Sequence, residues 1–126
     1  MNEINDNNKL FASDGIIAIN KDRRIIVFNE GATRITGFSY ETIISKQSDI
    51  LFDSTLQENA ILYKSLNSGG IFSNISLRIK TIDKKELEVF ASISPLIQPD
   101  QGIIGLIIVF RDINEVISLY HSLDQK

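Results

Sequence analysis

Cysteine is absent from this 126-residue sequence. Disulfides, thiolate metal sites and cysteinyl adducts are therefore excluded. Histidine occurs once, as His121, close to the C-terminal end and outside every stretch that reads as core. There is no H-E-x-x-H pair, no glycine-rich phosphate loop and no nucleophile elbow, and the serines have no base within an obvious motif. Aspartate and glutamate fall mostly in turns and on wet faces. These gaps leave no parts for a catalytic site, so neither enzyme activity nor a bound metal is expected. No basic block occurs and the net charge is -3, which argues against a nucleic-acid surface. Residues 1–9 are polar and lack the apolar centre of a signal peptide. The longest apolar run falls far short of the ~20 residues of a membrane span. The resulting expectation is a cytoplasmic domain without direct membrane contact, which leaves open a membrane segment elsewhere in a longer parent.

What is present fits one domain, 43% hydrophobic and long enough to bury a sizeable core. The organising stretch is Gly102 to Ile113. Ile103 to Phe110 is apolar apart from Gly105 and rich in β-branched residues, and the turn signal Pro99-Asp100-Gln101-Gly102 comes just before it. This predicts a strand buried on both faces, in the middle of a sheet. Arg111 and Asp112 end it, and Asn114 to Asp124 reads as an exit helix with an apolar stripe of Ile113, Val116, Ile117, Tyr120 and Leu123.

Upstream, residues 1–13 form a polar tail in which Ile4, Leu10 and Phe11 suit a short helix. Ile16–Asn20 and Arg24–Asn29 read as a hairpin, with Ile17 and Ile19 on one face. Asn29 is placed to cap a helix over Glu30–Thr36, which Gly37 ends. Ser39 is placed to cap a second over Tyr40–Lys46. A longer helix is expected over Thr55–Asn67, its apolar positions being Leu56, Ala60, Tyr63 and Leu66. Phe72–Thr81 alternates Ile75, Leu77 and Ile79 with polar residues. Glu86–Ile97 turns Leu87, Val89, Ala91 and Ile93 inward, and Pro95 requires a free edge or a bulge. Strands and helices in separate runs indicate α+β, a single antiparallel sheet with its helices on one face.

Several of these pieces together resemble a PAS domain, from about Leu10 to Asn114. They are Asp14-Gly15-Ile16-Ile17-Ala18-Ile19-Asn20, Val27-Phe28-Asn29-Glu30-Gly31-Ala32 running into Ile35-Thr36-Gly37-Phe38-Ser39, Ile93-Ser94-Pro95-Leu96, Gly102-Ile103-Ile104-Gly105 and Phe110-Arg111-Asp112-Ile113. The resemblance implies a five-stranded antiparallel sheet with the last strand central and beside the first. It implies flanking terminal helices, a domain over 14–113 and an exit helix over 114–126. Two positions depart from the family pattern. Asn114 stands where Thr is usual, and can still cap the exit helix. Lys84 stands where the turn Asp83-Lys84 usually has Gly, at a cost of about 1 kcal/mol if φ is positive there.

The resemblance further implies a sensory and dimerisation module whose output domain lies outside this chain. The parent would be a sensor histidine kinase of a two-component system, a diguanylate cyclase or a transcriptional regulator. Haem-binding relatives use a core His and flavin-binding photosensors a Cys with inward amides; neither set is present, which argues against both cofactors. A small apolar ligand would be bounded by Ile17, Ile19, Tyr63, Leu77, Val89, Ile108 and Phe110, residues that could equally pack on one another. Arg111, Asp112 and Asn114 are the candidate relay into the exit helix. Phe90, Ile107, Val109, Ile117 and Tyr120 are the candidate homodimer interface. Two other readings stand beside this one. A small ketosteroid-isomerase-like enzyme would need an inward carboxylate, for which no position is evident; a ligand-free interaction scaffold would need none.

Overall fold

The computed structural model describes residues 14–53, 57–114, 117–118 and 121. The order is β1 (Gly15–Asn20), β2 (Ile25–Phe28), α1 (Glu30–Thr36), α2 (Tyr40–Ile43), a single 3-10 turn (Ser48–Ile50), α3 (Gln57–Ser68), β3 (Phe72–Lys80), β4 (Glu86–Gln98) and β5 (Gly102–Asp112). The strands form one antiparallel sheet in the order β2-β1-β5-β4-β3. The most apolar strand, β5, thus lies at the centre with β1 on one edge and β4 on the other. The short helices pack on one face, giving the α+β architecture expected. The expected N-terminal helix and most of the exit helix, with Leu56, Val116, Tyr120 and Leu123, lie outside the described residues.

Local chemistry explains where the first helix begins and ends. Asn29 has extended backbone, and its side-chain oxygen accepts the Ala32 N–H at 2.9 Å, capping α1. Gly37, at φ 86, closes it with its N–H on Thr33 O. Ser39 caps α2 through the Thr42 N–H. That helix ends at Ile43, not at Lys46, because the next backbone groups leave it for the sheet: Ser45 N–H donates to Ile25 O, and Lys46 O accepts Ile25 N–H. Beyond Ile93 no residue of β3 pairs with β4, so among the described residues β4 has an open edge where Pro95 falls.

Register sets the core. Ile17 faces Phe28 on one side and Ile108 on the other, and Ile108 faces Ile93. The next rows are Ile19 with Leu106, and Phe110 with Ala91. Ala32, Phe38, Ile43, Leu51, Phe52, Leu62 and Leu66 close over these rows from the helical layer. The expectation that β5 is buried on both faces is only half met. Leu106, Ile108 and Phe110 are buried, whereas Ile107 and Val109, on the opposite face, are half-buried. The run is apolar on both sides, but among the described residues the helices cover only one of them.

α3 also differs from its expected phase. Its buried positions among the described side chains are Asn59, Leu62, Ser65 and Leu66, while Ala60 and Tyr63 are exposed. Apolar spacing alone favoured Tyr63. Instead the helix turns two polar residues inward because each finds a partner there: Ser65 Oγ donates to Gly70 O at 2.6 Å, and Asn59 accepts from Arg23.

Two backbone positions carry testable costs. A Cβ on Gly105 would collide with the carbonyl oxygen of Ile19 on the adjoining strand. Gly105→Ala should therefore lower stability by about 1–3 kcal/mol or prevent folding, read by chemical denaturation. Lys84 holds φ 66 in the β3–β4 turn. Lys84→Gly should raise stability by up to about 1 kcal/mol in the same assay.

Candidate functional site

The inner face of the sheet brings together most of the residues expected around a core site. Ile17, Ile19, Leu77, Val89, Ile108 and Phe110 fall in a single hydrophobic cluster, each no more than 2% exposed. Leu77 pairs with Val89, and the Phe110 ring lies over Gly15, where any side chain would collide with it. Tyr63 does not join them. It is 43% exposed on the outer side of α3, with the Arg23 guanidinium 4.3 Å from its ring centroid. Among the described residues, two buried side-chain polar atoms have no hydrogen-bond partner, the Ser48 hydroxyl and Asp14 Oδ1.

The exit of the central strand is a second cluster, and it is polar. Arg111 donates to Asp14 Oδ2 at 3.0 Å. Asp14 is 2% exposed, against 35% for Arg111, so the carboxylate is the buried half of the pair. Asp14 was not among the expected relay residues. Its signal was present nonetheless. It directly precedes β1, Arg111 nearly ends β5, and Gly15 pairs with Phe110 in the antiparallel ladder, which places 14 next to 111.

Asn29 ties the same corner together. Its Oδ1 accepts the N–H groups of both Ile16 and Ala32 at 2.9 Å, and its Nδ2 donates to Asp14 O at 3.2 Å. One side chain thus joins the start of β1, the end of β2 and the start of α1. On the other side of Arg111, Asp112 Oδ1 accepts the N–H of Asn114 at 2.9 Å. Residues 113 and 114 are already helical, so the cap of the following helix is Asp112, not Asn114 as expected. Asp112 is thus both the last residue of β5 and the first support of the helix beyond it.

The outer face of the sheet carries Ile16, Phe90, Ile107 and Val109, none of them fully buried. Phe90 is 38% exposed and stands opposite Arg111. An open groove of 630 Å³ runs here, with Asn74, Phe90, Ser92, Val109 and Arg111 among its walls. Ile117, beyond β5, is 50% exposed. Tyr120 lies outside the described residues. Among the described residues no group of three or more His, Asp or Glu side chains is arranged to hold a metal ion, and His121 is exposed. No described helix is long and apolar enough to cross a membrane.

The most connected side chain of this corner gives the sharpest stability test. Asn29→Ala removes a helix cap and a link between two strands, and should cost about 1–2 kcal/mol in denaturant unfolding. Asn29→Asp keeps the accepting oxygen and should recover part of that loss.

Known proteins share this geometry. The family model described as PAS domain matches residues 13–115. No curated protein matches. Among solved structures, the PAS domain of a protein from Colwellia psychrerythraea is similar at TM-score 0.70 and 18% identity, over 81% of this chain and 87% of that one. A fungal LOV domain photoreceptor is similar at TM-score 0.65 and 14% identity, over 82% and 76%. The PAS-B domain of Drosophila melanogaster Cycle is similar at TM-score 0.64 and 12% identity, over 78% and 98%. These likenesses show a shared fold. Together with a family match over most of the length, and with β5 central beside β1, they establish that the chain belongs to the PAS domain family.

Proposed function

We propose that this PAS domain is a non-catalytic signal-sensing module that passes a change in its core, through the exit of β5, into a C-terminal helix and an output domain beyond it. The observation that carries this reading is the Arg111–Asp14 pair at 3.0 Å, set beside the Asp112 cap. Phe110, immediately before Arg111, is a fully buried core side chain. A displacement of its ring therefore acts at once on the ion pair and the cap. The pair is suited to respond. Asp14 is buried and Arg111 about a third exposed, so the ionic contact stands between the ~0–1 kcal/mol of an exposed pair and the ~3–5 kcal/mol lost when a buried one is broken.

The core is read as holding a small apolar molecule or none. Leu77, Ile79, Val89, Ala91 and Ile93 line the sheet side, and they offer a flavin's polar edge no hydrogen bonds. The tight burial of these residues supports a ligand-free state of the same module. The outer face, with Phe90, Ile107 and Val109, is read as the homodimer interface, extended by Ile117 and Tyr120. Its half-exposed apolar side chains support that assignment. A cytoplasmic location in a signalling protein of the two-component or related type belongs to the same reading.

Two experiments test it. In the full-length parent, Asp112→Ala and Asp14→Asn should change the output's response to signal while the domain stays folded. Unchanged output and unchanged signal response for Asp112→Ala would sink the relay. For the interface, light scattering at high micromolar concentration should give a dimer, and Val109→Glu a monomer. A monomeric wild-type chain under those conditions would contradict the dimer.

A further inference from the structure

We propose that Arg23 is a strap that holds the N-terminal half of α3 against the β1–β2 turn, and that its release opens the domain at that edge. The inference begins with backbone conformation. The turn is closed by Arg23 N–H on Asn20 O at 2.8 Å and Asn20 N–H on Arg24 O at 3.0 Å, with Asn20 Oδ1 accepting from Asp22 and Arg24. Arg23 then has φ 67, a conformation that glycine adopts freely and arginine only at a cost. Lys84 holds the same conformation, φ 66, in the β3–β4 turn. Lys84 makes no side-chain hydrogen bond or ion pair among the described residues, whereas the Arg23 side chain has a clear destination.

Both contacts of that side chain are on α3, one helical turn apart. Nη2 donates to Asn59 Oδ1 at 2.5 Å, and the guanidinium lies 4.3 Å from the Tyr63 ring centroid. Asn59 is 7% exposed, so its amide oxygen would be an unpaired buried acceptor without Arg23. The two halves of the helix are held differently. Leu62 is buried at its midpoint, and the buried Ser65 and Leu66 fix the half beyond it, helped by Ser65 Oγ on Gly70 O and Gly69 N–H on Ser65 O. In the first turns Ala60 faces solvent and Ile61 is only half-buried against the core, while the buried Asn59 is held by the Arg23 contact. The strap is also made of neutral partners, an amide and a ring. Among the described residues the guanidinium forms no ion pair, so swinging away breaks no charge–charge contact.

A helix fixed at one end and strapped at the other opens as a flap hinged near Leu62, and the edge it uncovers leads to the core beneath α3. This deepens the reading of the core as the sensing site and rests on it for its meaning, but its test does not involve output or ligand. Hydrogen exchange of the isolated chain, resolved by residue, is compared for the wild type, Arg23→Gly, Arg23→Gln and Lys84→Gly. The result expected is a rise of about tenfold in exchange over residues 59–63 in both Arg23 variants, the loss of one charge-assisted hydrogen bond. Residues 65–68 and β5 should keep wild-type rates, and Lys84→Gly should leave α3 unchanged. Arg23→Gly is informative because glycine relieves the backbone, so a merely conformational role predicts slower exchange. Exchange over 59–63 that is unchanged or slower, or that rises equally in β5, would overturn the strap.

Discussion

The structure depends on the register of β5 between β1 and β4. A central strand is constrained on both edges, and a slip of one residue on either side would turn every side chain to the opposite face. Gly105 makes the constraint sharp. It is buried against the backbone of Ile19, and a Cβ there would meet the Ile19 carbonyl oxygen. With that contact in place, Leu106, Ile108 and Phe110 point under the helices, and the rows through Ile17, Ile19, Ala91 and Ile93 are set. The helical layer closes over a surface that the sheet has already arranged.

The same register brings the two ends of the domain together. Gly15 opposite Phe110 makes residue 14 a neighbour of residue 111, although 97 positions separate them in the chain. Around that meeting point polar groups take over from apolar packing. Asp14, Asn29, Arg111 and Asp112 tie together the start of β1, the end of β2, the cap of α1 and the cap of the helix after β5. A packed aromatic ring adjoins this knot, because Phe110 precedes Arg111. Core and exit are therefore separated by a single peptide unit, which is the physical basis for reading the exit of β5 as the relay.

α3 shows how polar partners override apolar spacing. Leu66 and Tyr63 are both compatible with an inward stripe, yet Leu62, Ser65 and Asn59 are the residues turned in with Leu66. A buried amide or hydroxyl is costly alone and tolerable once bonded. Arg23 and Gly70 supply those bonds, one from a distant segment and one from just past the helix, and Tyr63 is left outside as a ring for the Arg23 guanidinium.

Much of the fold was legible in the residues. Alternation along β3 and β4, the apolar run of β5, Asn29 and Ser39 as caps, and Gly37 as a stop are local signals with local causes, and they determined which elements form and roughly where they end. The inner-face residues of the candidate site came from the same alternation. What could not be read locally was decided in three dimensions. The shortened α2 depends on Ile25 drawing away its last backbone groups. The half-open outer face of β5 depends on which side the helices cover. The phase of α3 and the Asp14 partner of Arg111 depend on bonds between segments far apart in sequence. Periodicity reports which residues can face a core, because side-chain direction repeats along a strand or helix. It carries no record of which distant polar atom will satisfy a buried one, and that pairing exists only once the sheet's register has brought the two together.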